Sequence, residues 1–554
     1  MNHGSSLARL LLTLGLASCG GGSGNNTPSS TATAPPASPV TRADAVRLLE
    51  QSTFGPTDTM LAQVQASGAA AFVDDQLSRA PSSLGLYTFV DPDSTKVCTG
   101  AANPDTCYRD NYTAFPIQRQ FFVNAVGAPD QLRQRVAFAL SQIFVVSGVK
   151  IQATYGLADY QQMLIADSFG NVRQLLTDVT LHPVMGQYLD MVDNDKPDPS
   201  RSLQPNENYA RELLQLFSIG VVKLNTDGSL MADSQAQSVP TYDQNVVEGF
   251  AHVMTGWSYP TRPGATPQFY NPVNLAGKMA PFADHHDAGP KLLLNGAMLP
   301  PGQTPEKDLS DALDNVFQHP NLGPFLGKQL IQHLVTSNPS PAYVARITAV
   351  FNDNGRGVRG DLKAIIRAIL LDAEARGDVK SDPAYGKLRE PALYLAGLLR
   401  VFNGRTDGAA PAYLSETLGQ PVYVAPSVFN FYPPGYRLAG TPLQSPPSKL
   451  QDTASVVNRA NFTDALLNGG FPADASVAGA TGTVVDLSPL DALAADPARL
   501  MDKLSLMLMH NDISAPTRQI IEQATGSVPA DSPRSRVLMA SYLLATSSQY
   551  QVER

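Results

Sequence analysis

Residues 129–147 read PDQLRQRVAFALSQIFVVS, and this stretch indicates most clearly how the chain folds. Its apolar residues recur every three or four positions, at Leu132, Val136, Leu140 and Ile143. That spacing places them on one face of an α-helix, whereas a half-buried strand would alternate apolar and polar residues. The stretch therefore predicts a helix with one face in a hydrophobic core.

The same helical period recurs through the rest of the chain. It predicts further helices in 43–50, 57–77, 158–181, 206–220, 243–256, 307–318, 341–352, 360–376, 386–402, 450–467, 497–510, 515–524 and 533–547. Alternating segments are scarce, so short strands, as hairpins, are expected only in 222–231, 268–300 and 481–487.

These patterns predict a mainly α fold: one large multi-helix domain over 41–554, with long ordered loops and a few short β-hairpins. Segment 258–305 is rich in Pro and Gly and poor in helix signals. It leaves open a division into two lobes, 41–257 and 306–554. The formal net charge of −9 over 554 residues argues against a nucleic-acid partner, which requires a basic surface.

The N-terminal 18 residues resemble a secretory signal peptide, because 7–18 are apolar but too few to span a bilayer. They end in small residues followed by Cys19, which resembles the lipoprotein box in which the cysteine is lipidated. An ordinary signal peptide with a chance cysteine is the alternative. Residues 19–40 contain few bulky apolar residues and are typical of a flexible tether. We therefore expect an exported protein on a lipid anchor, at the outer membrane or cell surface.

Two cysteines remain, Cys98 and Cys107, in a short Gly-, Asn- and Pro-rich segment. In an oxidising compartment the first expectation for such a pair is a local disulfide. A metal-binding pair is the weaker interpretation, because the spacing is long and no histidine lies nearby.

Common catalytic motifs are absent: the chain has no phosphate-binding glycine loop, no G-x-S-x-G turn and no H-E-x-x-H. Three polar groups remain as candidate sites. The first, at a predicted helix start, comprises Asn206, Glu207, Asn208, Arg211 and Glu212. These residues could hold a hard cation or a sugar, or simply provide a cap and a Glu207–Arg211 ion pair.

The second group has Glu248 and His252 one helical turn apart, followed by Trp257. The pair suits acid/base work or a plain surface ion pair, and Trp257 suits a stacking platform or a core position. The third group is Asp284-His285-His286-Asp287. It could supply metal ligands, with His286 and Asp287 as the candidates, or be a solvated polar loop.

Several long segments resemble one bacterial family, the domain of unknown function 1800 (DUF1800), in the same order from about 43 to 552. They include PNENYARELLQLFSIG, the HHD loop, KLREPALYLAGLLR and QPVYVAPSVFNFYPPGY. The resemblance implies an exported helical domain without an established activity, and a partner protein of the DUF1501 group, which resembles alkaline phosphatases and sulfatases. The binding candidates it adds or supports are Asn206, Asn208, Arg211, Trp257, Lys291, Arg389, Glu390 and Asn430. His252 departs from the pattern, in which Arg is expected.

Two hypotheses follow. In the first, the protein is a binding or accessory lipoprotein of the cell envelope, which predicts an apolar surface patch. In the second, it is a hydrolase or lyase acting on an extracellular polymer, using Glu207, Glu212, His286 and Asp287 with or without a divalent metal. The second predicts that Glu207, His286 and Asp287 converge within about 6 Å.

Overall fold

The computed structural model describes residues 40–377, 380 and 382–554. The predicted signal peptide, Cys19 and all but the last residue of the tether lie outside these residues.

Helices dominate the described residues, which confirms the predicted fold class. The α-helices are α1 Arg42–Ser52, α2 Asp58–Ser67, α3 Ala69–Ser78, α4 Ser94–Cys98, α5 Pro104–Tyr112, α6 Phe115–Gly127, α7 Gln131–Ile143, α8 Thr154–Asp167, α9 Val172–Leu181, α10 Pro183–Tyr188, α11 Asn208–Glu212, α12 Gln244–Val253, α13 Pro305–Gln318, α14 Leu322–Leu334, α15 Pro341–Asn352, α16 Leu362–Leu371, α17 Pro391–Val401, α18 Ala409–Thr417, α19 Thr453–Leu467, α20 Ser488–Asp491, α21 Pro497–Met509, α22 Ala515–Ser527 and α23 Pro533–Ala545.

Among the described residues, eight two-residue strands form four antiparallel pairs. These pairs are β1 Trp257–Ser258 with β2 Ala280–Pro281, β3 Lys291–Leu292 with β4 Met298–Leu299, β5 Lys387–Leu388 with β8 Val552–Glu553, and β6 Arg405–Thr406 with β7 Thr483–Val484. Of these four pairs, β3 with β4 is a tight hairpin, and the other three join parts of the chain more than 20 residues apart.

The predicted helix over 129–147 is α7, whose apolar face is fully buried. The predicted helix over 57–77 begins as expected, since the Thr57 side chain accepts a hydrogen bond from Met60 N. It breaks at Gly68, whose φ of +83° lies in the left-handed region, where a residue with a side chain is strained.

One continuous hydrophobic cluster runs from Ala45 to Tyr550, and residues 40–554 form a single unit by their contacts. Segment 258–305 therefore lies against a core to which residues on both sides of it contribute. None of the described helices is both long and apolar enough to cross a membrane.

The predicted disulfide is confirmed, with Cys98 and Cys107 bonded and their Cα atoms 5.5 Å apart. It joins the end of α4 to α5. The first turn of α5 is thereby held against the preceding loop.

Candidate functional site

A segment that sequence reasoning missed, 190–198, connects the first two motifs. The Asn194 side chain accepts a hydrogen bond from Asn206 N at 2.7 Å, and its Nδ2 lies 3.4 Å from Asn206 O. The backbone carbonyl of Asn194 accepts from Gly256 N at 2.8 Å. One asparagine thus holds the start of the NENYARE motif, residues 206–212, beside the turn Thr255-Gly256-Trp257, which we call the TGW turn.

The same segment contacts the HHD loop. Lys196 N donates to His285 O at 3.0 Å, and the Asp195 carboxylate lies 3.1 Å from His285 Nδ1. The imidazole of His285 stacks on Phe269 with 3.8 Å between ring centroids. The three predicted motifs therefore meet around segment 190–198.

The NENYARE motif begins α11, but the N-cap is Glu207, whose side chain makes no capping hydrogen bond, and not Asn206. The Asn206 side chain accepts from Asn208 N at 2.9 Å, and Glu207 forms the expected ion pair with Arg211 at 2.5 Å. The helix does not continue in α geometry, however, because Leu213–Ser218 is a π-helix. Such helices are rare and occur often at functional sites.

Helix α12 presents Gln244, Glu248 and His252 at four-residue intervals, on one face. Gln244 Nε2 lies 3.0 Å from a Glu207 oxygen and 3.4 Å from Glu248 Oε1, so α11 and α12 share one line of polar groups. At its far end His252 Nδ1 contacts Asp287 Oδ2. We call this line the polar row; its members are Glu207, Arg211, Gln244, Glu248, His252 and Asp287.

Asp287 and His252 are both partly exposed. Burial raises the pKa of the Asp287 carboxyl, but the hydrogen bond from Gly289 N and the contact with His252 outweigh it, so the pKa lies below its ordinary value. The carboxylate is therefore ionised at neutral pH and orients the imidazole through Nδ1. This arrangement suits either an ion pair or acid/base work by His252.

His286 points away from its neighbour Asp287, into the protein. Its Nε2 lies 2.9 Å from Asp308 Oδ2, and its Nδ1 lies 2.9 Å from Thr255 O. The Lys291 ammonium is 2.6 Å from the same Asp308 oxygen, and the three side chains are almost entirely buried. His286 and Lys291 thus anchor the HHD loop to α13.

Glu212 is not a member of the row. Burial raises the pKa of its carboxyl, an effect that Arg211 only partly offsets. Its Oε2 atom is buried and has no hydrogen-bond partner among the described residues, and the same holds for the Tyr242 hydroxyl. Glu207, by contrast, contacts Gln244 and Arg211.

The remaining binding candidates are not members of the polar row. Trp257 is buried in β1. Asn430 donates to Gln142 Oε1 at 3.0 Å, and Glu390 accepts from Gln420 at 2.6 Å.

Arg389 sits in a buried ion-pair centre. Its guanidinium contacts Glu50 at 3.1 Å and Glu553 at 3.2 Å, and Lys387 lies 2.6 Å from Glu553. Arg389 also contributes to the wall of a cavity of about 390 Å³, together with His510. These partners place it in a different part of the core from the HHD loop.

The contacts do not bring Glu207, His286 and Asp287 to one point. Glu207 touches the row at Gln244 and Asp287 touches it at His252, eight residues or about 12 Å of helix further on. His286 faces the interior. Within the described ranges, no group of three or more His, Cys, Asp or Glu side chains is arranged to hold a metal ion.

Sequence reasoning missed Asn194, Gln244 and Asp308, which hold the motifs together. Gln244 carried a usable signal, because it lies one turn before Glu248 on the same predicted helix face. Asn194 and Asp308 carried none, because their partners lie 12 and 22 residues away.

Comparison with protein families matches residues 47–552 to the family described as "Protein of unknown function (DUF1800)". Comparison with curated proteins finds no match, and neither does comparison with solved structures.

Proposed function

Because this chain belongs to the DUF1800 family, whose function is unknown, we propose a role beyond what the family establishes. The protein acts as a binding or accessory protein of the cell envelope. It docks a partner protein on the polar row and on a neighbouring hairpin arm, residues 221–240.

The arm is the observation that carries this proposal. It follows the π-helix and leads into α12, and isolated bridges pair Val222 with Pro240 and Leu224 with Leu230. Every residue from 229 to 238 is exposed. The arm nevertheless carries apolar side chains, since Leu230 is 59% exposed and Met231 is 40% exposed. We propose that these side chains form the apolar part of an interaction surface whose polar part is the row.

The polar row supplies the specificity such a surface needs. It carries carboxylates at Glu207 and Glu248, a guanidinium at Arg211 and an amide at Gln244, all reachable from solvent. Charged groups in this setting mainly select the partner and its orientation. The arm leads directly into the row. A hydrogen bond from Thr241 N to Val221 O closes the base of the arm, and Gln244 of the row follows Thr241 by three residues.

The proposed setting is the cell envelope, with Cys19 as the site of a lipid anchor and residues 19–40 as the tether. The lipoprotein-like sequence at Cys19 supports the anchor, and the disulfide supports an oxidising compartment. The proposed partner is a DUF1501-type protein resembling phosphatases and sulfatases, as the family resemblance implies.

Co-purification of the full chain with a DUF1501-type protein of the same organism tests the proposal. Leu230→Asp and Glu248→Lys should each weaken the complex by tenfold or more, since each removes a group central to the proposed surface. Ile520→Asp is the matched control, because Ile520 is 64% exposed on α22. A complex that forms equally well with both surface variants, or no complex at all, contradicts the proposal.

One observation favours the alternative, a carboxylate- or metal-dependent hydrolase or lyase acting on an extracellular polymer. Asp287 orients His252, and Glu248 lies one turn away on the same face. If this alternative holds, purified protein degrades such a polymer and Asp287→Ala lowers the rate at least 100-fold. Metal analysis separates the two forms of it: near-stoichiometric metal that is lost in Asp287→Ala indicates the metal-dependent one.

A further inference from the structure

Two adjoining cavities lie on another part of the body, between α5, α8 and α18. Their volumes are about 200 and 320 Å³, and both include Tyr112 and Gln152 in their walls. Together they reach the size range of ligand-binding clefts, about 300–1,000 Å³. We call them the α5 groove; it contains no member of the polar row or the arm.

Aromatic rings line the groove in two stacked pairs. Tyr413 stacks on Phe115 with 4.7 Å between centroids, and the Arg109 guanidinium lies 4.8 Å from the Phe115 ring. Tyr108 stacks on Tyr112 at 5.6 Å. The outer ring of each pair is open to solvent, since Tyr413 is 46% exposed and Tyr108 is 39% exposed.

In each pair the buried ring fixes the orientation of the outer ring that stacks on it. Tyr108 is further fixed because it directly follows Cys107 of the disulfide. A rigid aromatic ring offers a large contact area at low entropic cost. Its face suits the flat C–H face of a pyranose ring, and two such faces suit consecutive sugars of a chain.

Amide side chains supply the hydrogen bonds that sugar hydroxyls require. Gln152 and Gln187 both line the groove. The Gln187 Oε1 atom is buried and has no hydrogen-bond partner among the described residues. A buried acceptor without a donor costs free energy, and a ligand hydroxyl would satisfy it.

The cations of the groove are already paired. Lys150 lies 2.6 Å from Asp190, and Arg109 lies 2.7 Å from Asp110. An anionic ligand would therefore have to compete with these carboxylates. The Glu416 carboxylate also lines the groove, so the lining disfavours an anionic ligand.

We propose that the α5 groove binds a neutral polysaccharide chain built of pyranose sugars. Tyr413 and Tyr108 are the stacking platforms, and Gln152 and Gln187 bind hydroxyl groups. This inference does not depend on the proposed docking surface, because it uses different residues.

Affinity electrophoresis of the full chain tests the proposal, in gels containing one soluble neutral polysaccharide at a time. The panel comprises β-glucan, xylan, galactomannan, arabinogalactan and glycol chitin, and polygalacturonate and heparin serve as anionic comparisons. At least one neutral polymer should retard the protein. Tyr413→Ala and Tyr108→Ala should each weaken that binding by tenfold or more.

Phe429→Ala is the matched control, since Phe429 is an aromatic residue 47% exposed outside the groove. It should bind like the unaltered protein, and equal melting temperatures show that the tyrosine variants fold. The proposal is overturned if no neutral polymer retards the protein, if only anionic polymers do, or if binding survives in both folded tyrosine variants. Loss of binding in Phe429→Ala as well would also overturn it.

Discussion

Replacing Asp308 with Ala tests whether the HHD loop is a structural anchor. The substitution removes the carboxylate that contacts Lys291 at 2.6 Å, His286 at 2.9 Å and Gln303 at 2.6 Å. The Lys291 ammonium then stays buried without its counter-charge. Removing one partner of a buried ion pair costs about 3–5 kcal/mol.

The loss can be converted to a melting temperature. At about 2.1 cal/mol/K per residue, the roughly 515 residues of the body have an unfolding entropy near 1.1 kcal/mol/K. A loss of 3–5 kcal/mol therefore lowers Tm by about 3–5 °C. Differential scanning calorimetry at pH 7 measures this shift.

Asp311→Ala is the control on the same helix. Asp311 pairs with Lys307 at 2.5 Å, but Lys307 is 60% exposed and Asp311 28% exposed, and pairs open to solvent contribute at most about 1 kcal/mol. Its Tm should therefore fall by no more than about 1 °C. Equal shifts for the two variants, or an unchanged Tm for Asp308→Ala, would refute the view that His286 and Lys291 act as an anchor.

Three further predictions concern the buried ion-pair centre, the disulfide and the anchor. Burial raises the pKa of the Glu50 carboxyl to about 7, although Arg389 opposes the shift. The folded state therefore binds this proton more tightly than the unfolded state does. The resulting stabilisation is complete below pH 4.5 and is lost as the pH rises through 7. Glu50→Gln should therefore reduce the fall in Tm between pH 5 and pH 8, and an undiminished fall would show that other groups cause it. Replacing Cys98 and Cys107 with Ser should lower stability by about 2–3 kcal/mol in chemical denaturation and weaken polysaccharide binding, whereas unchanged values would mean that the disulfide does not support α5. Cys19→Ala should abolish incorporation of labelled palmitate in cells, and labelling that persists would exclude Cys19 as the lipidated residue.

Local periodicity was enough to predict the helical fold. Helices α7 and α12 follow directly from apolar residues spaced three and four positions apart. The breaks between helices were harder, because they depend on distant backbone contacts. The predicted helix 158–181, for example, splits where Val172 N donates to Gly360 O.

The residues of the candidate site were partly predictable, but their pairing was not. The ion pair Glu207–Arg211 was visible because its members are one turn apart. The contacts His252–Asp287 and Glu207–Gln244 join residues 35 and 37 positions apart, and only tertiary packing brings them together. His286 and Asp287 were paired as candidate metal ligands because they are adjacent in sequence, but their side chains point in opposite directions.

The pairing of β8 with β5 has a consequence for the order of folding. Glu553 pairs with both Lys387 and Arg389 in the buried centre. Until residue 553 has been synthesised, Lys387 therefore lacks this counter-charge and Arg389 has only Glu50 as its carboxylate partner. In the sequence, Arg389 is 164 residues away from Glu553 and 339 residues away from Glu50. Contacts at such separations form slowly. A nascent chain therefore cannot complete this centre until residue 553 is available, and throughout that interval chaperones and proteases compete for it.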